Sequence, residues 1–261
     1  MPEVSNLEEV LSEHFNLHTV EVKQDVQHSI DALGIELTDA QIATLAGAPS
    51  GSKVVTSVIG PYRDVSKKND ANKEEDVPGG LLLTVTNPDY IGTQNEVIVY
   101  TMIVTNAQQQ DEISFGIYIK LVDFDRSLNK KTFAGMGAYF TAVIVRAAKS
   151  FDGCKEIRLQ AAGGRSWNDR LPPPVGGRWY GYITWPKYGF DMDLTELTQS
   201  IIPYFKYDPE GLSTCRTVSD VLGLKGGYDF WKVAGDGWDM VFDLTTNSSV
   251  EILNKFLKGR I

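Results

Sequence analysis

Four runs of β-branched and aromatic residues, crowded between Lys53 and Phe124, constrain this chain more than any other feature. KVVTSVI, LLLTVT, EVIVYTMIV and EISFGIYIKLVDF are parted by clusters of Gly, Pro, Asn or Gln, the punctuation expected between strands. Only NAQQQD joins the third run to the fourth, a gap short enough for a hairpin, so an antiparallel meander is expected. Between the first two runs lies RDVSKKNDANKEEDVPGG, whose interleaved charges read as a solvated, mobile loop.

The hydrophobic period then changes. After Gly135 and Gly137, apolar residues fall at Met136, Phe140, Val143, Ile144, Ala147, Ala148 and Phe151, the stripe of an amphipathic helix. Asp152-Gly153 ends that stripe, and KEIRLQAAGG begins as another strand. Strand, glycine loop, helix and strand in succession place the fold in the mixed α/β (α+β) class, with a mostly antiparallel sheet flanked by helices.

The fifty residues ahead read as helical. Val22, Val26, Ile30 and Leu33 recur at helical spacing from Val20 onward, Gly34 follows as a stop, and Thr38 is placed to cap DAQIATLAG. Past Gly163 comes a Pro/Gly-rich connection, RSWNDRLPPPVGGRWYG, without periodicity. DLTELTQSII then predicts a helix starting near Asp193 and stopped by Pro203. SSVEILNKFLKG predicts another, with a Ser248–Glu251 capping box and Gly259 as its stop. The expected organisation is an N-terminal helical extension (1–50), a mixed core (51–192) and a C-terminal helical annex (193–261).

Bulk properties exclude several classes of function. With 261 residues the chain builds a core that needs no disulfide or metal, and Cys154 and Cys215 lack metal-site spacing and suit a reducing compartment. A formal charge of −9 with scattered Lys and Arg argues against nucleic-acid binding. No apolar run approaches the roughly 20 residues of a membrane helix. MPEVSNLEEVL lacks a signal-peptide core, so a soluble, cytoplasmic protein with no membrane partner is expected. His14, His18 and His28 all fall in the helical first fifty residues, where they read as surface or half-buried positions. DFDRSLN offers oxygens at Asp123, Asp125, Ser127 and Asn129, as a calcium loop does. Leu128 stands where the turn glycine belongs and Ala134 where the closing glutamate belongs, so no metal is expected there.

FAGMGAYF, residues 133–140, carries the most chemistry. Glycines at 135 and 137 open backbone paths closed to other residues and leave amides uncovered at a helix start, an arrangement suited to an anion such as pyrophosphate. Lys130 and Lys131 add positive charge nearby. A glycine turn of this kind also starts helices that bind nothing, and both readings stand on the fragment alone.

A second fragment, GYITWPKYGFD at 181–191, is aromatic-rich with a tight Tyr-Gly-Phe corner. Taken together, the strand EISFGIYIKLVDF, the loop AGMGA, its helix, the strand KEIRLQA and the KYGF corner resemble the GNAT acyltransferase superfamily over roughly residues 80–192. In that family a Gln/Arg-x-x-Gly-x-Gly/Ala loop binds the coenzyme A pyrophosphate, and the following strand splays from its neighbour to admit the pantetheine arm. The resemblance implies acetyl-CoA or another acyl-CoA as cofactor, bound by Val122, Thr132, Gly135, Met136, Gly137 and Ala138. It also implies a small-molecule or protein amine as acceptor. Glu112, Asp123 and Asp125 are the candidate general bases and Tyr188 the candidate acid. Two positions depart from the family pattern. Thr132 stands where Gln or Arg faces phosphate, and Trp185 stands where a tyrosine often protonates the leaving thiolate, a role an indole N–H cannot take. The second reading is therefore a catalytically inactive GNAT-shaped binding or structural module, of an effector, toxin-associated or phage-related kind. The aromatic cluster Trp167, Trp179, Tyr180, Tyr182, Trp185, Tyr188 and Phe190 either lines a pocket or attaches the C-terminal helices as core.

Overall fold

A computed structural model describes residues 7–68, 74–106, 108–124, 135–164, 180–205 and 210–259. In chain order it contains helix α1 (Leu7–His14), strand β1 (Glu21–Lys23), helices α2 (Val26–Leu33) and α3 (Asp39–Leu45), and strands β2 (Lys53–Ile59), β3 (Tyr62–Lys68), β4 (Glu74–Val77), β5 (Gly80–Thr86), β6 (Asn95–Thr105) and β7 (Asp111–Leu121). Helix α4 (Met136–Ser150), strand β8 (Cys154–Gln160), helices α5 (Gly181–Lys187), α6 (Glu196–Ile201), α7 (Val218–Gly223) and α8 (Gly227–Ala234), strand β9 (Asp239–Asp243) and helix α9 (Ser248–Lys258) follow. The fold is mixed α/β with a mostly antiparallel sheet flanked by helices. It forms two compact units: Met1–Arg63 with Asp76–Arg158 and Asp243–Ile261, and Asp64–Glu75 with Leu159–Phe242.

In the first unit the strands lie in the order β1-β2-β5-β6-β7-β8. The four β-branched runs are β2, β5, β6 and β7, and each pairs antiparallel with the next, the β6–β7 hairpin falling at the short NAQQQD gap. Register places Leu81 opposite Val99, Leu83 opposite Val97, and Val99 opposite Ile117, and all five are fully buried. Helix α2 packs on β2, β5 and β6, while α3 and α9 pack against α4, whose Phe140, Ile144 and Ala148 are inaccessible to solvent.

Three local expectations are corrected here. Helix does not run from Val20: Leu17–Thr19 is a single 3-10 turn and Val22 lies in β1, paired parallel with Val54. An open strand edge at β2 supplies backbone partners that helical spacing cannot, and the helix waits for Asp25, whose side chain accepts from Gln27 N at 3.0 Å. It ends at Gly34 in the left-handed region, φ 72°, and Thr38 does cap α3, in a reciprocal box with Gln41. The charged stretch after β2 is not simply loop, because β3 and β4 pair as a two-stranded sheet. Arg63 Nε donates to Asp76 Oδ1 across its stem at 3.0 Å. At α9 the Ser248–Glu251 box is absent; Asn247 is the N-cap and makes no side-chain cap bond. The turn is instead fixed by Asp243, which accepts from Thr245 N, Thr245 Oγ1 and Thr246 Oγ1 at 2.6–2.8 Å.

The second unit has its own core. Tyr182, Leu194, Leu212, Val218, Val221, Phe230 and Trp231 pack together, and Trp231 Nε1 donates to Tyr182 O at 2.9 Å. Asp191 and Val241 exchange both backbone hydrogen bonds, which seats β9, a strand the helical reading of this region missed. Helix α6 starts at Glu196, three residues later than expected, because Thr195 caps it through Thr198 N. Of the aromatic cluster, Tyr182, Tyr188 and Phe190 are core and Tyr180 is exposed, while Trp167 and Trp179 lie outside the described residues. Among the described residues no helix is long and apolar enough to cross a membrane.

Candidate functional site

Strand β7 leads into Val122, Asp123 and Phe124, and the Phe124 ring meets Phe140 of α4 edge-on at 5.5 Å. The exit of β7 and the first turns of α4 therefore share one end of the sheet. Helix α4 begins at Gly135, which has φ 104° and ψ −2° and no side-chain cap. Only glycine adopts that conformation without strain, which explains the residue. Its carbonyl accepts from Ala138 N at 2.8 Å and closes the first turn. Gly135, Met136 and Ala138 are buried and Gly137 is half-buried, so the side chains of Met136 and Ala138 belong to the core. Gly137 is the one half-buried residue of this turn, which forms the positive end of a helix 15 residues long. Thr132, Asp125, Lys130 and Lys131 lie outside the described residues.

Of the candidate bases, Asp123 and Glu112 are not brought together. Half-buried Asp123 has Oδ2 on Thr93 N and Thr93 Oγ1 at 2.8 and 2.9 Å, while its amide donates to Asn95 Oδ1 at 2.7 Å. A Cβ on Gly92 would lie 2.6 Å from the same Oδ2, so the loop ahead of β6 closes down on this carboxylate. Glu112 is exposed at the other end of β7, roughly 35 Å away along an extended strand, and takes Asn106 Nδ2 at 2.6 Å. Tyr188 belongs to the second unit and is buried with its ring edge-on to Trp185 at 5.8 Å.

The same sheet carries a polar arrangement that sequence reading did not single out. Tyr100 on β6 faces Gly116 on β7, and a Cβ at Gly116 would lie 2.3 Å from Tyr100 Cζ. Its ring thus crosses β7 where there is no side chain, and the hydroxyl donates to Glu156 Oε1 on β8 at 2.6 Å. Burial, reinforced by that bond to Glu156, holds the Tyr100 hydroxyl far above the ordinary phenol range. Arg158 follows on the same face of β8, with Nε 4.0 Å from Glu156 Oε1. Near the far end of β7, Lys120 pairs with Glu96. Burial pulls the Lys120 ammonium down, but the Glu96 hydrogen bond and charge outweigh it and leave it raised. Tyr118, between these groups and only 1% exposed, has a hydroxyl with no partner among the described residues. A glycine in the middle of a β-branched run is the one sequence signal for this arrangement.

No family model, curated protein or solved structure matches this chain.

Proposed function

We propose that the chain binds an acyl-coenzyme A, acetyl-CoA being the simplest, at the start of α4 and transfers its acyl group to a small-molecule or protein amine. One observation carries this reading: a left-handed, uncapped glycine opens a long helix that is the next described element after the meander strand β7, with β8 following. This order is what the GNAT resemblance calls for. In the proposal the amides of Met136 and Gly137 hold the pyrophosphate, because the first amides of a helix lack partners within it and its dipole favours an anion. The bound thioester supplies the acyl group, and the protein's contribution is to hold an amine against it. A reducing cytoplasm suits the two free thiols.

A second reading is favoured by the candidate bases. Asp123 is engaged by Thr93 and Glu112 sits at the opposite end of β7. On that reading the fold binds coenzyme A or a partner without transfer. Thermal shift and calorimetry with acetyl-CoA test the proposal. Ligand at 100 times its dissociation constant stabilises by about 2.7 kcal/mol. Gly137→Leu is expected to remove the shift while the circular dichroism spectrum is retained. No shift at millimolar acetyl-CoA, or an undiminished shift in that variant, refutes the cradle. Binding with no coenzyme A release across a panel of amines selects the second reading.

A further inference from the structure

We propose that the outer edge of β6, from Thr101 to Thr105, is a docking site for an extended segment of a partner protein in which apolar and basic residues alternate. Strand β5 pairs with β6 only as far as Val99. Beyond it β6 has β7 on one side and, among the described residues, no strand on the other. Such an edge offers a row of backbone donors and acceptors to any strand that lies beside it. Exposed edges are ordinarily blunted by charge, proline or short length. At β1, an edge of the same sheet, charge and shortness are both used: the strand has 3 residues, and its exposed Glu21 and Lys23 pair at 3.4 Å. The β6 edge is not blunted in this way. Its residues read TMIVT, uncharged, without proline and β-branched at every position but Met102.

Register sets what an added strand meets. Ile103 lies directly opposite Ile113, and both are highly exposed, 73% and 74%. On the same face Thr101 lies opposite half-buried Phe115, whose ring leans on Phe151 at 4.8 Å. The exposed isoleucines thus continue an apolar surface rooted in the fold, and alternate apolar side chains of an added strand pack beside them. Charge selects the rest of the segment. From Val97 to Ile119 the only charged residues are Asp111 and Glu112, both exposed. Asp111 lies opposite Thr105 on the isoleucine face, and Glu112 lies opposite Val104 on the other. Their partners are uncharged: Asp111 accepts from Thr105 Oγ1 at 2.9 Å and Glu112 from Asn106 Nδ2 at 2.6 Å. An added strand lies two strand spacings, about 10 Å, from β7, a gap that a lysine side chain bridges and salt screens. A second copy of this chain brings the same acidic arm and a formal charge of −9, which opposes self-pairing.

The test is titration of the full isotope-labelled chain with a short peptide of alternating lysine and valine, followed by amide resonances. Saturable shifts centred on residues 101–105 and 111–115 are expected, with a dissociation constant of about 0.1 mM or tighter. Comparison peptides separate the contributions: glutamate in place of lysine reverses the charge, serine in place of valine removes the apolar contact, and N-methylation throughout removes the backbone donors. Each is expected to bind at least about tenfold more weakly. The double variant Ile103→Thr with Ile113→Thr, checked for native circular dichroism, is expected to weaken the lysine–valine peptide about tenfold. Asp111→Asn with Glu112→Gln is expected to weaken it about threefold at low salt, a difference that vanishes near about 0.5 M salt. No saturable shift by about 5 mM peptide, a comparison peptide that binds equally well, or unchanged affinity in the isoleucine double variant overturns the proposal. So does a stable dimer in sedimentation at about 10 µM that the same double variant dissolves, because the edge then belongs to a second copy.

Discussion

The residue that shapes the first unit's polar face most is one without a side chain. Gly116 lets the Tyr100 ring cross β7 to reach Glu156, and a methyl group there meets the ring at 2.3 Å. Gly116→Ala is therefore expected to destabilise by about 1–3 kcal/mol, the usual cost of overpacking, and Tyr100→Phe by about 1–2 kcal/mol through the lost bond to a carboxylate. Urea midpoints measure both, and a neutral Gly116→Ala would mean that the ring lies elsewhere. The glycine was visible in the run EISFGIYIKL, but its partner was not, because only strand register decides which side chain lies opposite. Asp243 makes a pH-dependent case. Burial raises its carboxyl, but the Thr245 and Thr246 donors more than offset this and hold it below the ordinary value. A depressed carboxylate stabilises fully above its unfolded value, near pH 3.9, and that contribution is lost as pH falls through the folded value. Asp243→Asn should thus cost stability at neutral pH, with the gap to wild type closing in acid. A gap independent of pH would show that the carboxylate charge is not what the turn uses.

At the scale of elements, legibility followed how much of an element's stability is local. The β-branched runs became β2, β5, β6 and β7, and the stripe after Gly135 became α4, since alternation and 3.6-residue spacing report directly on which face is buried. Val22 was misread because its strand exists only through a parallel partner thirty-odd residues on. The pair β3–β4 was missed because its residues are charged and the only signal is opposite charges falling across a stem. The candidate site fared likewise: Gly135 was found by its type, while the fates of Asp123, Glu112 and Tyr188 depended on Thr93, on strand length and on packing, none of which spacing encodes. One element invites a direct test. Pairing of β5 with β6 ends at Val99, and beyond it β6 and β7 continue as an arm carrying Ile103 directly opposite Ile113. Both are highly exposed, 73% and 74%. Replacing both by Thr should change stability by less than about 1 kcal/mol and reduce concentration-dependent association in light scattering. A loss well above that would reveal that the pair is packed in solution.

Over the whole molecule, the physical question is what holds 261 residues folded without covalent help. A chain of this length removes roughly 70–75% of its unfolded surface from water, and two separate apolar cores, around Leu83 and Val99 in one unit and Trp231 in the other, account for its stability through burial. Both cysteines are free, so no cross-link restricts the unfolded chain. Reducing agent should accordingly leave the melting temperature unchanged, and the unfolded protein should titrate two thiols. The native thiols should react far more slowly. Burial pushes the Cys154 thiol up to about 12, which leaves a thiolate fraction of about 10⁻⁴ at pH 8. Cys215, 5% exposed, directs its thiol to Gly211 O at 3.7 Å. Labelling at each site then requires an opening, and its rate under increasing urea reports the stability of the surroundings of Cys154 and Cys215 separately. A melting temperature that falls in reductant, or fewer than two thiols in urea, would show that a disulfide carries stability assigned here to the cores.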